Sequence, residues 1–149
     1  MERSLIIVKP DAVQRGLTGE IIRRFEARGL SIIGMKFMLV SRELAEKHYA
    51  EHDGKPFFKG LVDYITASPV VVMALEGHDA IKIARNTIGA TKPVEAAPGT
   101  IRGDFGMQVG RNLVHGSDSP ESGQKEIANF FETKELITWT RATDPWIYE

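Results

Sequence analysis

Apolar residues cluster in short runs that are typical of buried β-strands. The runs at 5–8 (LIIV), 31–40 (SIIGMKFMLV) and 70–75 (VVVMAL) are rich in β-branched side chains, and a shorter apolar pair follows at 113–114. The first run ends at Pro10, and proline has no N–H to donate within a sheet. The pattern therefore predicts four strands, the last of them short.

Between and after these runs, apolar residues recur at helical spacing. Five segments show this period, and their apolar faces are formed by Ile21, Ile22 and Phe25; Leu44, Ala45, His48 and Tyr49; Phe58, Leu61, Val62 and Ile65; Ile81, Ala84 and Ile88; and Ile127, Phe130 and Phe131. Ser41 and Ser119 are predicted N-caps, the latter followed by Pro120 at the first helical position. Gly29 and Gly89 are predicted to end two of the helices.

The predicted order of elements is β-α-β-(αα)-β-α-β-α. Short strands and a helical hairpin favour an α+β fold, a ferredoxin-like sandwich in which helices cover a four-stranded antiparallel sheet. A doubly wound, fully parallel sheet is the alternative. With 149 residues, we expect residues 1–149 to form a single domain.

One long segment, 89–112 (GATKPVEAAPGTIRGDFGMQVGRN), has no predicted element of its own. Structureless connections of this length in compact domains are usually functional or disordered. Its prolines and scattered apolar residues argue against disorder, while its glycines allow a ligand close to the backbone. Thr91, Lys92, Arg102 and Arg111 add hydrogen-bond donors, so the segment suits a phosphate. An ordinary Ω-loop is the alternative.

Composition narrows the class of protein further. Lysine and arginine number 19 and aspartate and glutamate 20, so a net charge of −1 gives no reason to expect nucleic-acid or membrane binding. The absence of cysteine excludes disulfides and thiolate nucleophiles. The apolar run at 5–8 is too short for a signal-peptide core, and the longest run, 69–75, is too short to span a bilayer. We expect a cytoplasmic protein.

The segment 112–126 (NLVHGSDSPESGQKE) places His115 just before the predicted helix cap. A lone histidine there is either a satisfied core residue or a functional one. Arg85 lies on or beside the apolar face of its helix, where it either extends to solvent or binds an anion in a partly buried position. Lys9 ends the first strand and either faces a ligand or is solvated.

Two further patterns do not carry the chemistry they suggest. HYAEH (48–52) has two histidines four positions apart, but its glutamate directly precedes the second histidine. A metalloprotease helix needs the glutamate directly after the first histidine. DFG (104–106) has neither HRD nor a glycine-rich loop before it, and the chain is too short for a protein-kinase fold. No Walker A sequence is present.

Several blocks together resemble the nucleoside diphosphate kinase family over essentially the whole chain. NLVHGSDS resembles the signature N-x-[IV]-H-G-S-D, and the other matching blocks are IVKPDAVQRGLTGEI, Tyr49, KPFF (55–58), PGTIRGDF (98–105) and the terminal DPWIYE. One departure is Lys92, where relatives more often have asparagine; it does not touch a residue assigned below.

The resemblance implies transfer of the γ-phosphoryl group from a nucleoside triphosphate to a nucleoside diphosphate by a ping-pong mechanism. His115 is then the nucleophile, attacking through Nδ1 to form a phosphohistidine. An imidazole with an ordinary pKa of about 6.5 is mostly neutral at pH 7 and suited to this role. The resemblance further implies that Glu126 orients the ring, that Ser117 holds Glu126, and that Tyr49 lies nearby.

The resemblance also implies a set of substrate-binding residues. Phosphate contacts fall on His52, Arg85, Thr91 and Arg102, ribose contacts on Lys9 and Asn112, and the sides of a base slot on Phe57 and Val109. An aromatic face stacks on any base, which predicts broad base specificity. Mg²⁺ is expected to bind through the nucleotide phosphates and to keep waters, without a dedicated protein metal site.

Two rival functions and the state of assembly complete the expectations. A non-catalytic ferredoxin-like nucleotide-sensing or binding module shares the predicted fold, although such a module does not require His115. A metal-dependent phosphohydrolase needs a cluster of ligands that the sequence spacing does not reveal. The family implies a homo-oligomer. The tail 133–149, with Trp139, Trp146 and Tyr148 out of any period, favours a hexamer over a tetramer.

Overall fold

A computed structural model describes residues 1–149 and contains one four-stranded sheet. The strands are β1 (Glu2–Val8), β2 (Ser31–Met38), β3 (Val70–Gly77) and β4 (Val114–Gly116). Their order is β2-β3-β1-β4, and each neighbouring pair is antiparallel. This confirms the predicted sheet and excludes the parallel alternative.

Seven α-helices accompany the sheet: α1 (Pro10–Gln14), α2 (Thr18–Arg28), α3 (Arg42–His48), α4 (Phe58–Thr66), α5 (Ala80–Ile88), α6 (Ile101–Phe105) and α7 (Pro120–Phe130). The predicted caps are present, because the hydroxyls of Ser41 and Ser119 accept the amides of Leu44 and Ser122 at 3.1 Å. Gly29 ends α2 in the left-handed conformation. No helix in the chain has both the length and the apolar character needed to cross a membrane.

Both faces of the sheet are covered at its centre, which explains the unbroken apolar runs at 5–8 in β1 and 70–75 in β3. Ile6 and Val8 pack against α1, α2 and α5, whereas Leu5 and Ile7 pack against α3, α4 and α7. All four side chains are fully buried, and each contributes roughly 1.5–3 kcal/mol to folding. β4 pairs with β1 in the sheet, so the buried β1 fixes the position of the residues on β4.

Two short helices were not predicted from the sequence. α1 begins directly at Pro10, and α6 begins after Thr100, whose hydroxyl accepts the amide of Gly103 at 3.0 Å. The prediction that 89–112 has no element of its own is therefore wrong, since it holds α6 and two 3-10 turns. Each of these elements is five residues or fewer, which is too short for a helical period to show.

The tail runs back along the edge of the sheet. The amide of Ile137 donates to the carbonyl of Ile33 at 2.8 Å, and the Trp139 indole donates to the carbonyl of Ile32 at 2.9 Å. The ring of Tyr148 lies 4.7 Å from that of His78. Part of the tail therefore packs on its own domain, while Trp146 remains 89% exposed.

Candidate active site

His115 lies on β4 and faces a polar cleft of about 240 Å³. In the register of the sheet it sits opposite Ile7, so the fully buried β1 fixes its backbone. The cleft brings together nine of the twelve predicted site residues, namely Lys9, Tyr49, His52, Arg85, Thr91, Arg102, Asn112, His115 and Glu126. These residues come from segments up to 117 positions apart in sequence, from Lys9 to Glu126.

A chain of hydrogen bonds orients the His115 ring. Its Nε2 lies 2.9 Å from Oε1 of Glu126, and the Ser117 hydroxyl donates to the same oxygen at 2.6 Å. Ser117 is anchored in turn, because its hydroxyl accepts the amide of Leu5 at 2.9 Å. Nδ1 of His115 has no protein partner, which leaves it available to the cleft.

Glu126 is ionised at neutral pH. Burial by itself raises the pKa of Glu126, but the hydrogen bond and charge of His115 and the hydrogen bond from Ser117 outweigh burial, and the net shift is downward. An ionised carboxylate can only accept a hydrogen bond, so Nε2 donates its N–H to Glu126, and in the neutral tautomer with that proton the lone pair lies on Nδ1. The arrangement suits a nucleophilic histidine.

His48 is part of this site although the sequence did not assign it there. Its ring meets those of His115, Tyr49 and Phe130 edge to face, with centroids 4.8, 4.8 and 5.5 Å away. Burial, and after it the charge of His115, lowers the pKa of His48 to about 3. Its neutral ring therefore supports His115 by packing. The helical period placed His48 on the apolar face of α3, and that was the available signal.

Tyr49 presents a buried hydroxyl that has no partner in the protein. Burial raises the pKa of Tyr49 to about 12, so the hydroxyl keeps its proton and can donate it in a hydrogen bond. Unpaired buried hydroxyls are costly, and this one belongs to a residue that lines the cleft. A bound anionic group can satisfy it.

Lys9 and Asn112 form a fixed pair at the floor of the cleft. The Lys9 ammonium donates to Oδ1 of Asn112 at 2.9 Å, and both side chains are buried. Burial, and after it the charge of Arg102, lowers the pKa of Lys9 to about 8, while Asp11 acts in the opposite direction. Lys9 therefore contacts the cleft and is not simply solvated, which resolves the alternative left open by the sequence.

The two arginines of the cleft are placed very differently. Arg85 is exposed at the rim, which is the first of the two positions that the sequence left open, and it makes no hydrogen bond within the protein. Arg102 is buried and donates to the carbonyls of Asn112 (3.1 Å), Gly89 (3.3 Å) and Val114 (2.7 Å). Arg102 thus fixes the backbone around these three carbonyls and also adds positive charge to the cleft. Two of its five N–H groups remain free to bind a ligand.

Three predicted residues do not line the cleft. Ser117 lies behind Glu126, as described above. Phe57 and Val109 are 51% and 53% exposed, and the Phe57 ring lies 5.2 Å from that of His52, which does line the cleft. Val109 begins the 3-10 turn that leads to Asn112. Both apolar side chains therefore lie close in sequence to cleft residues, on exposed surface.

The tertiary structure also groups possible metal ligands that the sequence spacing did not reveal. Ligand atoms of His48, His115 and Glu126 lie within 4.8 Å of one another. Two imidazoles and one carboxylate are not the oxygen-rich set that Mg²⁺ prefers, and the Glu126 oxygen already accepts two hydrogen bonds. This cluster therefore does not fit a dedicated Mg²⁺ site.

One imidazole nitrogen held by a carboxylate and the other left free, in a cleft lined by cations on a ferredoxin-like sheet, suits an enzyme that transfers phosphoryl groups. The family model "Nucleoside diphosphate kinase" matches residues 2–136. The chain belongs to the nucleoside diphosphate kinase family.

Full-length relatives agree with this assignment. The chain is 64% identical over 149 residues to a nucleoside diphosphate kinase of Herpetosiphon aurantiacus, with both chains covered completely. It is 60% identical over 149 residues to one of Archaeoglobus fulgidus, covering 100% of this chain and 99% of the relative.

A solved structure, that of a halophilic nucleoside diphosphate kinase from Halobacterium salinarum in complex with CDP, matches with a TM-score of 0.97 and 52% identity over 99% of each chain. The protein is therefore an enzyme that transfers phosphoryl groups between nucleotides, and its fold is the predicted one. The reading as a non-catalytic binding module is set aside.

Proposed function

We propose that the enzyme moves the γ-phosphoryl group of a nucleoside triphosphate to a nucleoside diphosphate through a phosphohistidine at Nδ1 of His115. The observation that carries this proposal is the pairing of Nε2 with Glu126, which leaves Nδ1 as the free ring nitrogen. Covalent capture divides the transfer into two half-reactions, and this gives ping-pong kinetics.

In the first half-reaction the Nδ1 lone pair attacks the γ-phosphorus. The bond from phosphorus to the bridging oxygen breaks, and the diphosphate leaves with that electron pair. The ring then carries the phosphoryl group on Nδ1 and its proton on Nε2, where the ionised Glu126 offsets the positive charge of the imidazolium. In the second half-reaction a terminal oxygen of the acceptor diphosphate attacks the same phosphorus, and the N–P bond breaks.

The cations and donors of the cleft act where negative charge develops. Arg85 offers an unengaged guanidinium at the rim, and Arg102 offers its two remaining N–H groups. Thr91 and His52 add donors, and the Tyr49 hydroxyl suits a phosphoryl oxygen. Mg²⁺ bound to the nucleotide phosphates would neutralise part of their charge, and no residue of the protein would need to hold it directly.

The nucleoside is proposed to lie between Phe57 and Val109, with its ribose hydroxyls on Lys9 and Asn112. The exposure of both apolar side chains and the rigid Lys9–Asn112 pair support this orientation. Neither apolar side chain offers hydrogen bonds that distinguish one base from another, so all common nucleotides are expected to be substrates.

Residues 1–149 are proposed to act as a single domain, in the cytoplasm, and as a homo-hexamer without membrane or specific nucleic-acid partners. Support for self-association comes from exposed apolar side chains along the edge strand β2, Met35 and Phe37, with Leu39 just beyond it, and from exposed Trp146 in the tail. Surfaces of this kind usually mark contacts between proteins.

The decisive experiment is incubation with γ-labelled ATP, followed by mapping of the label. An acid-labile, alkali-stable label on His115 that an added diphosphate removes supports the mechanism. Turnover without any labelled intermediate, with direct transfer between the two nucleotides, contradicts it.

A further inference from the structure

The backbone two residues before His115 adopts a strained turn. Leu113 has φ +74°, and the amide of Val114 donates to the carbonyl of Asn112 at 2.8 Å, which closes a three-residue γ-turn centred on Leu113. The positive-φ form of this turn is rare and unfavourable for a residue with a side chain. Leu113 is also fully buried, so other groups must hold this conformation.

Both peptide groups of the strained residue are held by the segment that follows β1. The amide of Leu113 donates to Oδ2 of Asp11 at 3.1 Å, and its carbonyl accepts the amide of Lys9 at 2.9 Å. Arg102 grips the carbonyls on either side, those of Asn112 and Val114. Of these holding groups, Asp11 is the one side chain that has no role in binding or chemistry so far.

Asp11 is itself fixed from the opposite side. Its second carboxylate oxygen accepts the hydroxyl of Tyr64, which lies on α4. The Tyr64 ring carries two cations on its faces or rim, with the Arg111 guanidinium 4.6 Å and the Lys9 ammonium 5.8 Å from its centroid. The carboxylate is therefore immobilised between α4 and the turn, as a part that sets backbone position requires.

We propose that Asp11 is a positioning residue of the phosphotransfer site, whose carboxylate holds the γ-turn at Leu113 and thereby sets Asn112 and His115. Asn112 begins the turn and His115 follows its last residue, so relaxation of Leu113 to a negative φ displaces both. This inference rests on the proposed phosphohistidine mechanism, since its readout is the rate at which His115 is phosphorylated.

The test compares single-turnover phosphorylation by γ-labelled ATP in full-length variants, each at a temperature where its thermal transition shows it folded. Asp11→Ala removes the acceptor, Asp11→Asn keeps an oxygen in the same place, and Gln14→Ala is the matched control. Gln14 also lies on α1 and ties it to Ser68 at 2.8 Å, without touching the turn. A rate constant per folded molecule does not change when a substitution only lowers stability.

We expect Asp11→Ala to slow phosphoenzyme formation about 10- to 100-fold, as a small misplacement of a reacting group does. Asp11→Asn should recover most of that loss, and Gln14→Ala should match the wild type. An Asp11→Ala rate constant within about twofold of the wild type overturns the proposal, as does an Asn variant as slow as the Ala variant.

A second measurement applies if Asp11→Ala does not fold. In the wild-type protein the Leu113 amide should exchange with solvent as slowly as the amides of β1, because Asp11 holds it. Exchange as fast as that of exposed loop amides overturns the proposal. Absence of phosphohistidine in the wild type is a different result, and it removes the proposed mechanism while the exchange test still stands.

Discussion

Nε2 of His115 and Oε1 of Glu126 lie 2.9 Å apart, and this contact leaves Nδ1 as the ring nitrogen without a partner in the protein. Ser117 donates to the same oxygen at 2.6 Å, so the carboxylate is held from the side of β1 as well. Because the ionised carboxylate accepts a hydrogen bond from Nε2, the proton lies on Nε2 and the lone pair of the neutral ring lies on Nδ1. In the proposed mechanism, Nδ1 is therefore oriented for attack before any substrate binds.

Substitution of the nucleophile should separate chemistry from binding. We expect His115→Gln to abolish phosphoenzyme formation and transfer while the fold and nucleotide binding survive, because His115 lies at the surface of the cleft and does not belong to the apolar core. Labelling with γ-labelled ATP and calorimetric binding of a diphosphate measure the two properties. His78→Gln, a change of an exposed histidine that does not line the cleft, is the control. A labelled His115→Gln protein contradicts the assignment.

Arg85 and Arg102 should give different defects. Arg85→Ala is expected to lower kcat/KM by a factor that corresponds to a loss of roughly 2–4 kcal/mol of transition-state stabilisation. Its Tm should not change, because the Arg85 guanidinium makes no hydrogen bond within the protein. Arg102→Ala should lose activity and stability together, with about 1.5–3 kcal/mol for each hydrogen bond that the charged guanidinium no longer donates to a backbone carbonyl. Lys82→Ala, an exposed cation on the same helix as Arg85, is the control in steady-state kinetics and thermal unfolding. Near wild-type kcat/KM in both arginine variants disproves the phosphate contacts.

Stability should depend on pH through His48. The pKa of His48 is lowered from 6.5 to about 3, chiefly by burial. Between these two pH values, His48 is protonated in the unfolded chain but not in the folded protein. The stability of the folded protein that depends on neutral His48 is fully present above pH 6.5 and is lost as pH falls from 6.5 towards 3. His48→Phe keeps an aromatic ring without the titration, and its Tm should fall less than that of the wild type between pH 6.5 and about 5. Parallel curves for the two proteins contradict the assignment.

The base slot should discriminate weakly. We expect ADP, GDP, CDP and UDP to differ as acceptors by less than about 100-fold in kcat/KM, near ~2.7 kcal/mol. Phe57→Ala should weaken all four by a similar factor, about 1–3 kcal/mol, since stacking does not depend on base identity. Initial-rate kinetics with each acceptor measure both expectations. A loss confined to purines or to pyrimidines points instead to hydrogen-bonded base recognition.

The tail should stabilise the assembly. Truncation after Thr143 removes the exposed Trp146 and also Tyr148, which packs on His78, but it leaves every proposed site residue in place. We expect a lower Tm and partial dissociation to dimers, with chemistry retained in the remaining oligomers. Light scattering and thermal unfolding measure this, and Lys134→Ala in the exposed part of the tail is the control. If the truncated protein keeps the mass and the Tm of the full-length protein, the tail does not stabilise the assembly. A full-length protein that forms a tetramer contradicts the proposed hexamer.

Local patterns in the sequence were enough to predict most of the elements and to single out His115 as the candidate nucleophile. Helical period, strand runs and the caps at Ser41 and Ser119 depend on interactions within a few residues, so a short window contains them. The signature around His115 is likewise local. Resemblance along the whole chain added Glu126 and Ser117, and the structure then showed that Glu126 contacts the His115 ring and that Ser117 donates to Glu126.

The way in which those parts meet could not be read from local patterns and follows from tertiary packing. Arg85 and Arg102 look alike in the sequence, yet one is exposed and the other is bonded to three carbonyls. The packing of His48 on His115 and the hold of Asp11 on Leu113 join residues 67 and 102 positions apart. Neither relationship leaves a local signal, since each depends on the antiparallel sheet that brings β1 beside β4 and on the helices packed against it. Periodicity reports which face of an element is buried, and not which distant side chain it is buried against.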